Sequence, residues 1–146
     1  MKQMTKITHH LTDDLLMAYA AGALPEAFSL VVATHVSICD ECRATLAGFD
    51  AVGGALLDGA EAAEMEAGAL EATLARIASA PSEAPKPARK AGIFPAPLQD
   101  YVGGDLEAVK WRPVGMGVRQ AILPSSKAAS VRLLHFPAGG EVPDHG

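Results

Sequence analysis

Cysteine and aromatic side chains are scarce in this sequence: two cysteines, and Phe, Trp and Tyr together at 5% of 146 residues. Two cysteines cannot build the multi-bridge framework of a small secreted scaffold. So few rings exclude a large aromatic core and favour small, close-packed helices. No run approaches the ~18 apolar residues of a membrane span, and the opening MKQMTKITHHLTDD lacks an apolar core of signal-peptide length. Basic charge is short in the first half. Residues 1–80 carry 11 acidic and 4 basic side chains, net −7, whereas residues 81–146 carry 6 and 8, net +2. Nucleic-acid affinity comes largely from Lys and Arg neutralising phosphates, so the first half is unsuited to gripping a phosphate backbone. It suits a basic protein surface instead. Together these absences predict a cytoplasmic chain with reduced thiols, where a close cysteine pair is metal-binding or redox-active rather than a staple.

With 49% hydrophobic and 20% charged residues the chain is not globally disordered, and its length allows one ordinary domain or two small ones. Thr12 caps a first predicted helix, Asp13 and Asp14 sit where the helix dipole favours negative charge, and Leu15, Leu16 and Tyr19 form its apolar stripe. Gly22 ends it. Pro25 fits the first turn of a second helix, with Phe28, Val31, Val32 and His35 at helical spacing. A third begins near Asp40, carries Leu46, Phe49, Val52, Leu56 and Leu57 at the same period, and is expected to fray at Gly53-Gly54. Residues 60–80 read as a fourth helix with a thin apolar seam of Leu70, Leu74 and Ile77, suited to being covered by a partner. Five prolines within residues 81–97, interspersed with Lys86, Arg89 and Lys90, predict a stiff extended linker over 81–98. The period then changes: MGVRQAIL (116–123) and ASVRLLHF (129–136) alternate as strands, and Trp111 belongs to a preceding strand-like piece. Three strands cannot cover their own edges, so residues 99–146 are expected to be the opening of a larger β domain. The organisation expected is therefore 1–80 helical, 81–98 linker, 99–146 β.

The chemistry concentrates in HVSICDEC, residues 35–42. Zinc takes about four nitrogen or sulfur ligands in a tetrahedron. Cys39 and Cys42 span one tight turn, and His35 lies four residues before Cys39, on the same helical face. A fourth ligand must come from elsewhere, and His9 and His10, ahead of the first helix, are the other candidates in the first half. Either would pin that helix to the turn between the next two, stapling a unit with little core of its own. A thioredoxin-like redox pair should follow a strand in a βαβ unit, whereas these flanks are helical. A DNA-reading zinc finger wants a second Cys/His pair downstream and a basic helix, and neither is present.

The stretch HHLTDDLLMAYAAGALPEAFSLVVATHVSICDECRATLAGFDAVGG resembles the zinc-binding anti-sigma domain, most closely that of ChrR-type anti-sigma factors. The likeness is strong over residues ~4–57 and looser beyond. It implies a zinc-stapled bundle of three helices plus a fourth, partner-binding helix, followed by an all-β cupin domain, here truncated. It also implies zinc ligands at His10, His35, Cys39 and Cys42, with His9 the alternative to His10. LPSSKAASVRLLHFPAGGEVPDHG is similar to a cupin opening, in which Gly139 and His145 match the glycine and first histidine of Gly-x₅-His-x-His; His145 is the candidate for a second metal site in a complete cupin. The implied function is to bind an extracytoplasmic-function sigma factor one to one, keep it from RNA polymerase and promoter DNA, and release it under oxidative stress, singlet oxygen above all. Some family members use the zinc cysteines with an additional cysteine as a thiol switch, and this chain has only two. Two rival readings are a cupin metalloenzyme with a helical appendage and a direct thiol sensor acting through Cys39 and Cys42. Trp111, Tyr101 and His135 read as packing residues of the β part rather than ligands, and Asp144 as a turn residue.

Overall fold

A computed structural model describes residues 7–81, 91–123 and 126–140. Thr12 opens the first helix, α1 (Asp13–Ala20), by accepting the Leu15 N–H, and Asp13 and Asp14 occupy its first turn as expected. The helix closes where Gly22 takes a positive φ of 66° and donates to the Tyr19 carbonyl. Pro25 precedes α2 (Glu26–Ile38) rather than sitting inside it, and its carbonyl accepts the first N–H groups of the helix. One extended residue, Cys39, separates α2 from α3 (Asp40–Asp58). Its N–H closes α2 on the His35 carbonyl and its carbonyl opens α3 through the Arg43 N–H.

Two apolar clusters meet on α2. In one, Leu16 (1% exposed), Val32 (0%), Cys39 and Cys42 (2% each) are buried among α1, α2 and α3, flanked by Leu11, Tyr19, Val36 and Phe49. In the other, Leu30 packs against Leu98 and Leu123, with Phe94, Tyr101 and Leu133 around them. The residues placed at helical spacing on α2 differ in burial. Phe28 and Val31 are about half exposed, and the buried positions are Ala27, Leu30 and Val32, because α2 is covered on two sides by different elements.

Three further expectations change. Helix α3 does not fray at Gly53-Gly54 but runs to Asp58, and its last apolar residues, Val52, Leu56 and Leu57, face solvent. The fourth helix is shorter than 60–80: α4 covers Ala69–Ser79 and begins at Gly68, whose φ of 86° only glycine adopts without strain. The extended linker read over 81–98 is partly helical. Residues 82–90 lie outside the described residues, but α5 (Ala96–Val102) starts directly after Pro95, where a proline's missing N–H costs no helical bond. Asp105 fastens the lead-in to α5 by accepting the N–H groups of Ile93 and Phe94 at 2.7 and 3.0 Å.

The strands form an antiparallel sheet in the order β1 (Arg112–Gly115), β2 (Val118–Leu123), β3 (Val131–His135). The β1–β2 hairpin turns through Met116 and Gly117, both at positive φ, which matches the right-handed twist of paired strands. Register pairs Leu123 with Val131 and Arg119 with His135. Ala121 and Leu123, two apart on one face of β2, are buried, and Leu123 packs against Leu98 of α5 and Leu30. Trp111 sits edge-on to His135, with the Arg119 guanidinium 5.9 Å from its ring centroid, a packing role for all three. The fold is thus a helical N-terminal unit followed by a small β-sheet, with α5 the element the sequence pattern did not reveal. Among the described residues, no helix is long and apolar enough to cross a membrane.

Candidate metal centre

His35 lies in the last turn of α2, Cys39 between the two helices, and Cys42 in the first turn of α3. The abrupt α2–α3 junction therefore brings three donors together without any loop. Arg43 locks this junction. Its guanidinium donates to the Val36 carbonyl at 2.8 Å and the Ser37 carbonyl at 3.4 Å, orphan acceptors at the end of α2, and pairs with Asp40. The sequence reading passed over Arg43; a basic residue just beyond a helix C-terminus was the available signal.

The fourth member of the cluster is His10. The N–H of the next residue, Leu11, donates to Cys42 Sγ at 3.4 Å and so ties the segment before α1 to the cysteine turn. His10 Nδ1 then lies 3.4 Å from Cys39 Sγ and 3.7 Å from Cys42 Sγ. Its other ring nitrogen, Nε2, is 3.3 Å from a carboxylate oxygen of Glu41. One ligand atom from each of His10, His35, Cys39 and Cys42 lies within 4.8 Å of the other three. His9 is not in the group; it is exposed, with Nδ1 3.2 Å from the Thr8 hydroxyl. His145 lies outside the described residues.

These residues fit a metal ion on three counts. In a tetrahedron with Zn–S of about 2.3 Å and Zn–N of about 2.0–2.1 Å, a sulfur and a nitrogen ligand stand about 3.5 Å apart, and the two His10–sulfur distances bracket that value. His35 Nε2 is buried with no hydrogen-bond partner, a state that costs about 1–3 kcal/mol unless something accepts the lone pair. Two thiolates also neutralise a divalent cation. The sulfurs are not equivalent. The backbone N–H of Cys42 is the largest influence holding the Cys39 thiol below its ordinary pKa, outweighing burial, with His10 adding to the effect. Burial pushes the Cys42 thiol up, against the Leu11 N–H. Were all four to bind one ion, a tetrahedral set would be complete and leave no open position for a reacting water.

Fold and site together define a helical unit closed by a His₂Cys₂ cluster and joined to an antiparallel sheet. No family model matches the chain. Over 141 residues it is 54% identical to the anti-sigma-E factor ChrR of Cereibacter sphaeroides, covering 96% of this chain and 66% of that protein's length. It also superposes on a crystal structure of Rhodobacter sphaeroides SigE in complex with the anti-sigma ChrR, with a TM-score of 0.78 and 51% identity, covering 94% of this chain and 74% of that one. The chain belongs to the ChrR-type anti-sigma factors.

Proposed function

We propose that this chain is a zinc-dependent anti-sigma factor that sequesters an extracytoplasmic-function sigma factor one to one in the cytoplasm, blocking its access to RNA polymerase and promoter DNA. The observation carrying this reading is the likeness to ChrR seen in complex with SigE, over nearly the whole chain. The free surface supports it. Leu56 and Leu57 at the end of α3 are 72% and 78% exposed, and Leu70, Leu74 and Ile77 on α4 are also solvent-facing. Such apolar surface is the mark of an interaction site. The acidic first half complements the basic DNA-binding faces of a sigma factor.

In this reading zinc is structural, with His10, His35, Cys39 and Cys42 as ligands. It supplies a cross-link that a core of four buried residues does not. The helical anti-sigma unit spans residues 1–80, and the sheet with α5 begins a cupin-like domain, the part the family resemblance connects with release by singlet oxygen. Regulation by binding, not turnover, is the activity of the family.

The test is co-expression with the cognate extracytoplasmic-function sigma factor, followed by size-exclusion chromatography, metal analysis and a promoter reporter. A stoichiometric complex with one zinc per chain, and loss of inhibition in Cys42→Ser, are expected. Failure to bind the sigma factor sinks the anti-sigma reading. Full inhibition by Cys42→Ser removes the zinc requirement while leaving the partner.

A further inference from the structure

Three of the four candidate ligands are held by elements that leave them little freedom. His35 is clamped in a helix packed on two sides, and the two cysteines flank a junction locked by Arg43. His10 is different. It stands on a non-helical segment ahead of α1, and about a third of its side chain is exposed. An imidazole in such a position can flip about its ring bond or exchange the proton between its nitrogens. Either change presents the wrong atom to a metal.

We propose that Glu41 is a positioning residue for the metal centre, holding His10 in the orientation and tautomer that turn a bare Nδ1 toward the two sulfurs. The proposal rests on the zinc reading of the cluster. The geometry is specific to one ring orientation. Nδ1 faces Cys39 and Cys42 at 3.4 and 3.7 Å, while Nε2 faces the Glu41 carboxylate at 3.3 Å on the other side of the ring. A carboxylate accepts and does not donate, so this contact favours the tautomer with the proton on Nε2, which leaves Nδ1 its lone pair. A ligand histidine whose second nitrogen is held by a carboxylate is fixed in tautomer and ring orientation. Glu41 is also adjacent in sequence to Cys42, so one turn of α3 provides both a ligand sulfur and the carboxylate that aims another ligand. With the Leu11 N–H on Cys42, this makes two ties between the segment before α1 and the first turn of α3.

Glu41 could instead serve only as an acidic residue at a helix N-terminus, and charge separates the two roles. Zinc affinity is measured on the zinc-loaded chain by competition with a chromophoric chelator for wild type, Glu41→Ala, Glu41→Gln and Asp50→Ala, the last removing an equal charge elsewhere on α3. Glu41→Ala is expected to bind zinc about tenfold more weakly, the lower end of outer-ligand effects because the Glu41 side chain is 74% exposed. Glu41→Gln, which keeps an accepting oxygen, should stay within about threefold of wild type, as should Asp50→Ala. Nitrogen-15 spectra of the imidazoles should show His10 protonated at Nε2 and metal-bound at Nδ1. A metal-bound His10 Nε2, unchanged affinity in Glu41→Ala, or a Gln variant as weak as the Ala variant each overturns the proposal while leaving the zinc reading intact. A wild-type chain that takes up no zinc overturns both.

Discussion

Replacing Leu16 with alanine separates what the apolar core contributes from what a metal contributes. Leu16 is 1% exposed and belongs to the cluster that also buries both sulfurs. The change removes three buried carbons, a transfer cost of about 2.4 kcal/mol at about 0.8 kcal/mol per buried methylene. The cavity left between α1, α2 and α3 raises the total to about 3 kcal/mol, near the low end of buried Leu→Ala changes. A structural zinc site stabilises its folded form by about 10–16 kcal/mol at neutral pH. The zinc-loaded variant should therefore remain folded but melt lower, by more than about 10 °C at 4–8 °C per kcal/mol for a unit of this size. The chelated variant should lose helical circular dichroism altogether. Thermal melts of wild type and Leu16→Ala, loaded and chelated, give the four numbers needed. Two results would refute the reasoning: a chelated wild type that melts where the loaded protein does, or a loaded Leu16→Ala whose melting point does not move.

Leu74→Glu, on the exposed face of α4, should leave stability within about 0.5 kcal/mol of wild type yet weaken sigma-factor binding more than tenfold, about 1.4 kcal/mol or more, measured by calorimetry; unchanged binding would exclude α4 from the interface. Leu30→Ala should cost about 2–3 kcal/mol and speed hydrogen exchange in α5 more than in α1, because Leu30 faces Leu98 and Leu123; equal acceleration of both helices would show that the clusters are not separate. The N–H of Ile93 is the first cause of an Asp105 carboxyl held below the usual range, with Phe94 adding to it. A depressed folded pKa means stability that is complete above the unfolded value of about 3.9 and is lost as pH falls below it through the folded value. Denaturant melts should show that acid-side decline, and Asp105→Asn should flatten it.

The three donors of HVSICDEC were legible from spacing alone, since helical periodicity and a two-residue cysteine gap are local properties. The cap of α1 and the alternation of β2 and β3 were legible for the same reason. Residues 96–102 escaped that logic. APLQDYV is only seven residues long, too short to show a helical period, so its packing against α2 and the Asp105 bonds before it make it a helix. The helical spacing of Phe28, Val31 and Val32 did not tell which of them is buried, because periodicity reports a face and cannot report that two neighbours share the helix.

What the sequence determined by itself was the donor chemistry, the starts of the first three helices and the acidic first half, all carried by neighbouring residues. Only the tertiary structure decided that His10 rather than His9 turns toward the sulfurs, because that choice depends on a Leu11 N–H reaching Cys42 from another element. It likewise decided that Glu41 backs His10 and that α2 carries one cluster on each of two faces. Those contacts join residues far apart in the chain, and no local spacing encodes which surfaces of the helices meet.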